Sequence, residues 1–124
     1  MALAKILLRL GAVVMAIVGI GFLAVPVQWA AVVDIQLPTA TARTDLRATY
    51  GGFDLAVGVY FWLCSQREDW VRPGLAALGI AAAGFGGGRV LGMLLEGSAA
   101  PSMLGFAALE WGSALAAYLV LRRL

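Results

Sequence analysis

Four long apolar segments, separated by short polar ones, run along the 124 residues of the chain. Pro26 ends the first segment, the polar run at 65–69 ends the second, and Gly97 follows the third. Each segment is close to the roughly 20 residues that an α-helix needs to cross a bilayer. The pattern predicts an all-α integral membrane four-helix bundle, one transmembrane domain over residues 1–124, with helices at about 3–25, 45–64, 71–95 and 102–121.

Composition excludes a water-soluble domain, since 62% of the residues are hydrophobic and 13% are charged, against about 25% charged in ordinary globular domains. Cys64 is the single cysteine and there is no histidine, so a disulfide within the chain and the usual zinc, haem and copper ligand sets cannot form. We therefore expect no metal and no cofactor. The basic residues form no stripe of the kind that binds phosphates, and we expect no nucleic-acid partner.

Basic residues near the helix ends are distributed unequally between the two sides of the predicted bundle. Positively charged residues concentrate on the cytoplasmic side of membrane proteins. The imbalance predicts that both termini lie inside, in a bacterial plasma (inner) membrane, and it argues against dual-topology exporters. The cytoplasmic side would carry six basic residues: Lys5, Arg9, Arg67, Arg72, Arg122 and Arg123. The opposite side would carry two, Arg43 and Arg47.

Small residues at a spacing of four mark the faces on which membrane helices pack closely. Two such stripes are long enough to predict contacts between copies of the chain in a homo-oligomer, although packing within one bundle is the more common explanation of such stripes. The stripes are Gly84, Gly88 and Gly92 on the third helix and Ala108, Gly112 and Ala116 on the fourth. The longest loop, at 27–44, is a candidate lid.

Four ionisable residues fall inside the predicted helices: Arg47, Asp54, Arg89 and Glu110. Each such charge costs about 2.5 to 3.5 kcal/mol at the bilayer centre, so pairing or access to water is required. At about 1.5 Å per residue, Asp54 and Glu110 are expected near the midplane and the two arginines nearer the outer surface. Helical spacing places Arg47, Tyr50 and Asp54 on one face.

These charges predict a polar cavity that opens to the exterior, and its expected lining includes Tyr50, Phe85, Phe106 and Ser113. The predicted ligand-binding residues are Arg47, Tyr50, Asp54, Arg89 and Glu110, and Asp54 and Glu110 are the candidate catalytic acid and base. The alternative is that Arg89 bridges Asp54 and Glu110 only to lock the helices together.

Three short motifs resemble a family of small bacterial four-helix membrane proteins catalogued as a domain of unknown function. The motifs are 46–52 (LRATYGG), 88–92 (GRVLG) with Glu96-Gly97 after it, and Glu110 in the last helix. More loosely, the architecture is similar to the DoxX-type membrane proteins. The resemblance supports the fold and implies no particular activity or catalytic residue.

Three functions remain open from the sequence. The first is a membrane-embedded site for a small hydrophobic or lipid-like molecule with a polar or anionic head, held by the arginines and positioned or acted on by the acids. The second is a proton-coupled small-molecule transporter that works as an oligomer. The third is an accessory subunit of a larger membrane complex.

Overall fold

A computed structural model describes residues 1–124 as five helices without strands. Three of the helices are long and apolar enough to cross a membrane, α1, α4 and α5, and they indicate an integral membrane protein. The helices are α1 (Ala2–Ala24), α2 (Pro26–Ala31), α3 (the consecutive segments Ala40–Leu46, Arg47–Gly52 and Phe53–Gln66), α4 (Glu68–Glu96) and α5 (Pro101–Leu121).

Helix α3 begins at Ala40 rather than near Asp45, where the sequence led us to expect it. Thr39 is the reason, because its extended backbone precedes the first turn and its hydroxyl accepts a hydrogen bond from the Ala42 N–H at 3.1 Å. This is the usual way in which a threonine caps a helix. The middle segment, Arg47–Gly52, is a π-helical turn.

The chain forms two compact units. The hairpin unit comprises residues 1–8 and 64–124, and the central unit comprises residues 9–63.

In the central unit, α1 and α3 run antiparallel with their backbones in direct contact. A Cβ atom added at Gly19 would lie 2.6 Å from the backbone nitrogen of Leu55 and 2.8 Å from the carbonyl of Gly51. A Cβ at Gly58 would lie 2.9 Å from the carbonyl of Ala12. Because lipid supplies no hydrophobic drive between helices, such close contact is what holds membrane helices together.

The segment that the sequence analysis treated as a loop at 27–44 contains α2 and the first turns of α3. Phe22, Ala30 and Leu37 are buried together here, and the Trp29 ring packs against Phe22 with 6.0 Å between centroids. Asp34 ends the turn after α2 with φ = 60°, a left-handed conformation that aspartate tolerates better than most residues. The segment is therefore packed onto α1.

In the hairpin unit, α4 and α5 run antiparallel and are joined by a short turn. A Cβ at Gly79 would lie 3.2 Å from the Cβ of Ala117, so the helices are close at the end away from the turn. At the turn, Gly97 has φ = 62° and the N–H of Ser98 bonds to the carbonyl of Met93 at 3.2 Å. This is the Schellman arrangement that glycine favours at a helix end.

Substituting Gly19 with alanine should destabilise the fold, because the new methyl group would meet backbone atoms of α3 that cannot rotate away. We expect Gly19→Ala to lower the free energy of unfolding by about 1–3 kcal/mol, the usual cost of overpacking. Gly87→Ala is the matched control: its Cβ would enter open space, and alanine favours a helix by up to about 1 kcal/mol over glycine. Thermal unfolding in detergent, followed by circular dichroism, measures both. Equal melting temperatures for the two variants would contradict the close contact of α1 and α3.

Candidate functional site

An ion pair between Arg89 and Glu110 joins α4 to α5. The Arg89 Nε donates to Glu110 Oε1 at 3.0 Å and to Oε2 at 2.9 Å, and Nη2 donates to Oε1 at 2.7 Å. These are the short contacts of a charge-assisted, two-pronged pair. The side chain of Arg89 is 25% exposed and that of Glu110 is 16% exposed, so the pair is partly open to its surroundings.

Gly86 allows the two helices to bring this pair together. It lies one turn before Arg89, and a Cβ at this position would sit 2.8 Å from Nε1 of Trp111 and 3.3 Å from the Cβ of Glu110. Any larger residue would therefore push Trp111, and Glu110 beside it, away from α4. The sequence does not reveal this role of Gly86, since a glycine in a glycine-rich helix gives no sign of which neighbour it contacts.

The surroundings of the pair are apolar. The Arg89 guanidinium carbon lies 5.1 Å from the centroid of the Phe106 ring, and Nη1 approaches the Met103 sulfur at 3.6 Å. Arg89 is seven residues from the end of α4 and Glu110 nine residues from the start of α5, which corresponds to about 10 Å and 14 Å along the helix axes. The pair therefore lies at a depth where hydrocarbon is expected.

Arg47 has a different kind of partner. Its Nε donates to the backbone carbonyl of Leu23 at 3.0 Å. Leu23 is in the last turn of α1, where carbonyl groups lack partners within the helix, and Pro26 just beyond it has no N–H to offer. Arg47 thus caps the end of α1, and its role in holding a ligand stays a prediction.

Tyr50 lies in the π-helical turn and packs on α1. Its ring stacks on Phe22 with 5.1 Å between centroids and 30° between planes. In the same turn the Thr49 hydroxyl donates to the carbonyl of Asp45 at 2.8 Å. Turns of this kind are rare and occur often at functional sites, and no sequence signal announced this one.

Asp54 lies in the central unit, in the turn of α3 that follows the π-helical segment. It is 5% exposed and is the most buried charged residue of the chain. Arg47, Tyr50 and Asp54 belong to the central unit, whereas Arg89 and Glu110 belong to the hairpin unit. One cavity that holds all four charges accordingly stays a prediction, as does an acid–base role for Asp54 and Glu110.

The other predicted lining residues have varied surroundings. Phe106 contacts Arg89 as expected. Ser113 donates its hydroxyl to the carbonyl of Leu109 at 2.8 Å, within α5, and Phe85 is 48% exposed.

The glycines of the predicted oligomer faces have open space beside them within the chain. A Cβ added at Gly84, Gly88, Gly92 or Gly112 would have no neighbour within 4 Å. These glycines therefore do not serve the packing of α4 against α5, which instead uses Gly79 and Gly86.

The family comparison matches residues 3–121 to the family described as Domain of unknown function (DUF4345). The chain belongs to this family. No curated protein and no solved structure matches it. The looser resemblance to DoxX-type proteins stays a prediction, because none of these findings bears on it.

Removing one member of the Arg89–Glu110 pair should be more damaging than removing both. We expect Glu110→Leu to lower the free energy of unfolding by about 3–5 kcal/mol, because it leaves a buried charge without its partner. The double variant Arg89→Met, Glu110→Leu should recover most of that loss. Denaturant unfolding in detergent, arranged as a double-mutant cycle, measures the coupling. If the losses in Arg89→Met and Glu110→Leu add up to the loss in the double variant, the two side chains are not coupled.

Proposed function

We propose that the protein holds a small hydrophobic or lipid-like molecule in a membrane-embedded site, with the polar head of the molecule at Arg89 and Glu110. The observation that carries this proposal is the ion pair itself, which is partly exposed at hydrocarbon depth. Buried ion pairs are weak contributors to stability, and apolar residues of similar size often do as well. Ionisable residues inside membrane segments are accordingly associated with function.

The chemistry of the pair suggests what kind of head group fits. Glu110 neutralises much of the Arg89 charge, so a bare anion gains little there. A head that carries both a donor and an acceptor can bond to the carboxylate and the guanidinium together. An acceptor oxygen would also be a stronger partner for Nη1 than the Met103 sulfur, since a thioether is a weak acceptor. Phe106 and Met103 supply apolar surface for the rest of the molecule.

A catalytic role is an extension of this proposal. Glu110 would exchange a proton with the bound molecule, as a general acid or base does. In the central unit, Arg47, Tyr50 and Asp54 stay predicted ligand-binding residues, and Asp54 stays a predicted acid or base.

We also propose that α3 is a fourth membrane span, with both termini on the cytoplasmic side of a bacterial inner membrane. Its three segments form one continuous helix, and it runs antiparallel to α1 in direct backbone contact. Residues 48–64 contain Asp54 as the single charged residue. A helix that is this apolar, and that packs along the length of a membrane span, occupies the same hydrocarbon layer as that span. The excess of basic residues near the termini supports the orientation.

Cysteine labelling tests this topology. In a Cys64→Ala background, single cysteines at Gln36, Gln66 and Ser98, all exposed positions, are treated with a membrane-impermeant maleimide on intact cells. Gln36→Cys and Ser98→Cys should react from outside, and Gln66→Cys only after permeabilisation. If Gln36→Cys and Gln66→Cys react alike, α3 does not cross the membrane.

A second candidate function is assembly through the open glycine faces. Glycine costs a helix up to about 1 kcal/mol relative to alanine, and Gly84, Gly88 and Gly92 have no packing use within the chain. Contact with another helix would use them. The open glycines favour a homo-oligomer, or an accessory subunit that packs on a larger complex. Either kind of assembly is compatible with the binding site at Arg89 and Glu110.

Native mass spectrometry of protein released gently from membranes tests the binding proposal. We expect the wild type to retain a discrete small molecule and the double variant Arg89→Met, Glu110→Leu to lose it. The double variant is suited to this test because it leaves no unpaired charge to unfold the protein. The matched control is Lys5→Gln, Glu68→Gln, which removes a different ion pair, of 3.5 Å, from the same unit.

The spectra distinguish the two candidate functions. Loss of the molecule in the double variant, with retention in the control, supports the binding site. A wild type that carries nothing, or a double variant that retains the molecule, contradicts it. In that case, the appearance of a dimer or larger species, or of a stoichiometric partner, would leave assembly as the better explanation.

A further inference from the structure

An apolar groove runs between α1 and α3 in the central unit, apart from the ion pair described above. Its volume is about 240 Å³, which is below the roughly 300–1,000 Å³ of pockets that enclose whole small molecules. The groove therefore suits one extended part of a larger molecule. Small and apolar residues from both helices form it, including Ala12, Val13, Ala16, Leu55, Gly58 and Trp62.

The groove exists because the two helices meet over small residues. Gly58 brings the α3 backbone against Ala12 and Ala16, so no large side chain fills the space beside the contact. Val13 and Trp62, which flank it, are 50% and 49% exposed. The opening thus faces the surroundings of the helix pair, which for a membrane span means lipid.

One end of the groove carries a positive charge and an aromatic ring. The Arg9 guanidinium carbon lies 5.9 Å from the centroid of the Trp62 ring, within the range of a cation–π contact. Tryptophan prefers the boundary between hydrocarbon and head groups. The N–H donors of an arginine lie in the plane of its guanidinium group. They therefore stay available to bind a phosphate while the face of the group stacks on an aromatic ring.

We propose that this groove binds an anionic phospholipid from the leaflet nearer the N-terminus. One acyl chain lies along the small residues between α1 and α3, and the phosphate lies at Arg9 beside Trp62. Charge complementarity selects this occupant over a neutral apolar molecule, since Arg9 lies against Trp62, which lines one end of the groove. The proposal does not depend on the Arg89–Glu110 site.

Quenching of tryptophan fluorescence by brominated lipids tests the groove. The protein is reconstituted into phosphatidylcholine vesicles that contain an equal fraction of either brominated phosphatidylglycerol or brominated phosphatidylcholine, with bromine on the upper part of the acyl chain. The difference between wild type and Trp62→Phe isolates the signal of Trp62. We expect a roughly fivefold preference of the Trp62 site for phosphatidylglycerol, the order expected for one basic side chain at an anionic surface.

Three variants make the result specific. Arg9→Gln should abolish the preference, while Arg72→Gln, which removes the same charge from the hairpin unit, should keep it. Val13→Phe, which fills the groove from an exposed position, should reduce Trp62 quenching by both lipids. The proposal is overturned if the two lipids quench Trp62 equally, if neither does because another protein surface covers the groove, or if Arg72→Gln acts like Arg9→Gln.

Discussion

The interior of a bilayer offers no hydrogen-bond partner, so every polar group on a membrane helix must find one within the protein. Two arginines of this chain meet that requirement in different ways. Arg89 is held by a carboxylate on the neighbouring helix, and Arg47 is held by a backbone carbonyl at the end of α1. The hydroxyl groups of Thr49 and Ser113 also have partners, because each donates to a carbonyl one turn earlier in its own helix.

The same constraint determines where the helices touch. Without a hydrophobic drive, contact must come from close packing, and the glycines at the α1–α3 contact bring backbone against backbone. Gly86 has a further consequence on α4, because the space that it leaves admits Trp111 and the adjoining Glu110. In the hairpin unit, close packing and ion pairing therefore depend on the same residue. Gly86 permits the close contact of α4 with α5, and that contact positions Glu110 for its pair with Arg89.

The sequence predicts much of this arrangement and misses the rest for physical reasons. Three membrane-capable helices follow directly from apolar length. The charges inside the helices were expected to need partners, and a bridge from Arg89 to both Asp54 and Glu110 was one alternative, but the sequence does not say which charge pairs with which. Helix α2 and the early start of α3 were missed, because the polar composition of 27–44 suggested a loop. The π-helical turn leaves no signature in residue types, and the partner of Arg47 is a backbone atom, which no side-chain pattern can reveal.

The different partners of the two arginines bear on where a negatively charged molecule would be attracted. Glu110 compensates the charge of Arg89, so that pair offers hydrogen bonds without a strong field. The carbonyl of Leu23 has no net charge to set against Arg47, which remains a full positive charge beside the last turn of α1. A negatively charged molecule would therefore be attracted more strongly to Arg47 than to the Arg89–Glu110 pair. Electrostatic attraction would accordingly rest on Arg47, and recognition through hydrogen bonds on Arg89 and Glu110.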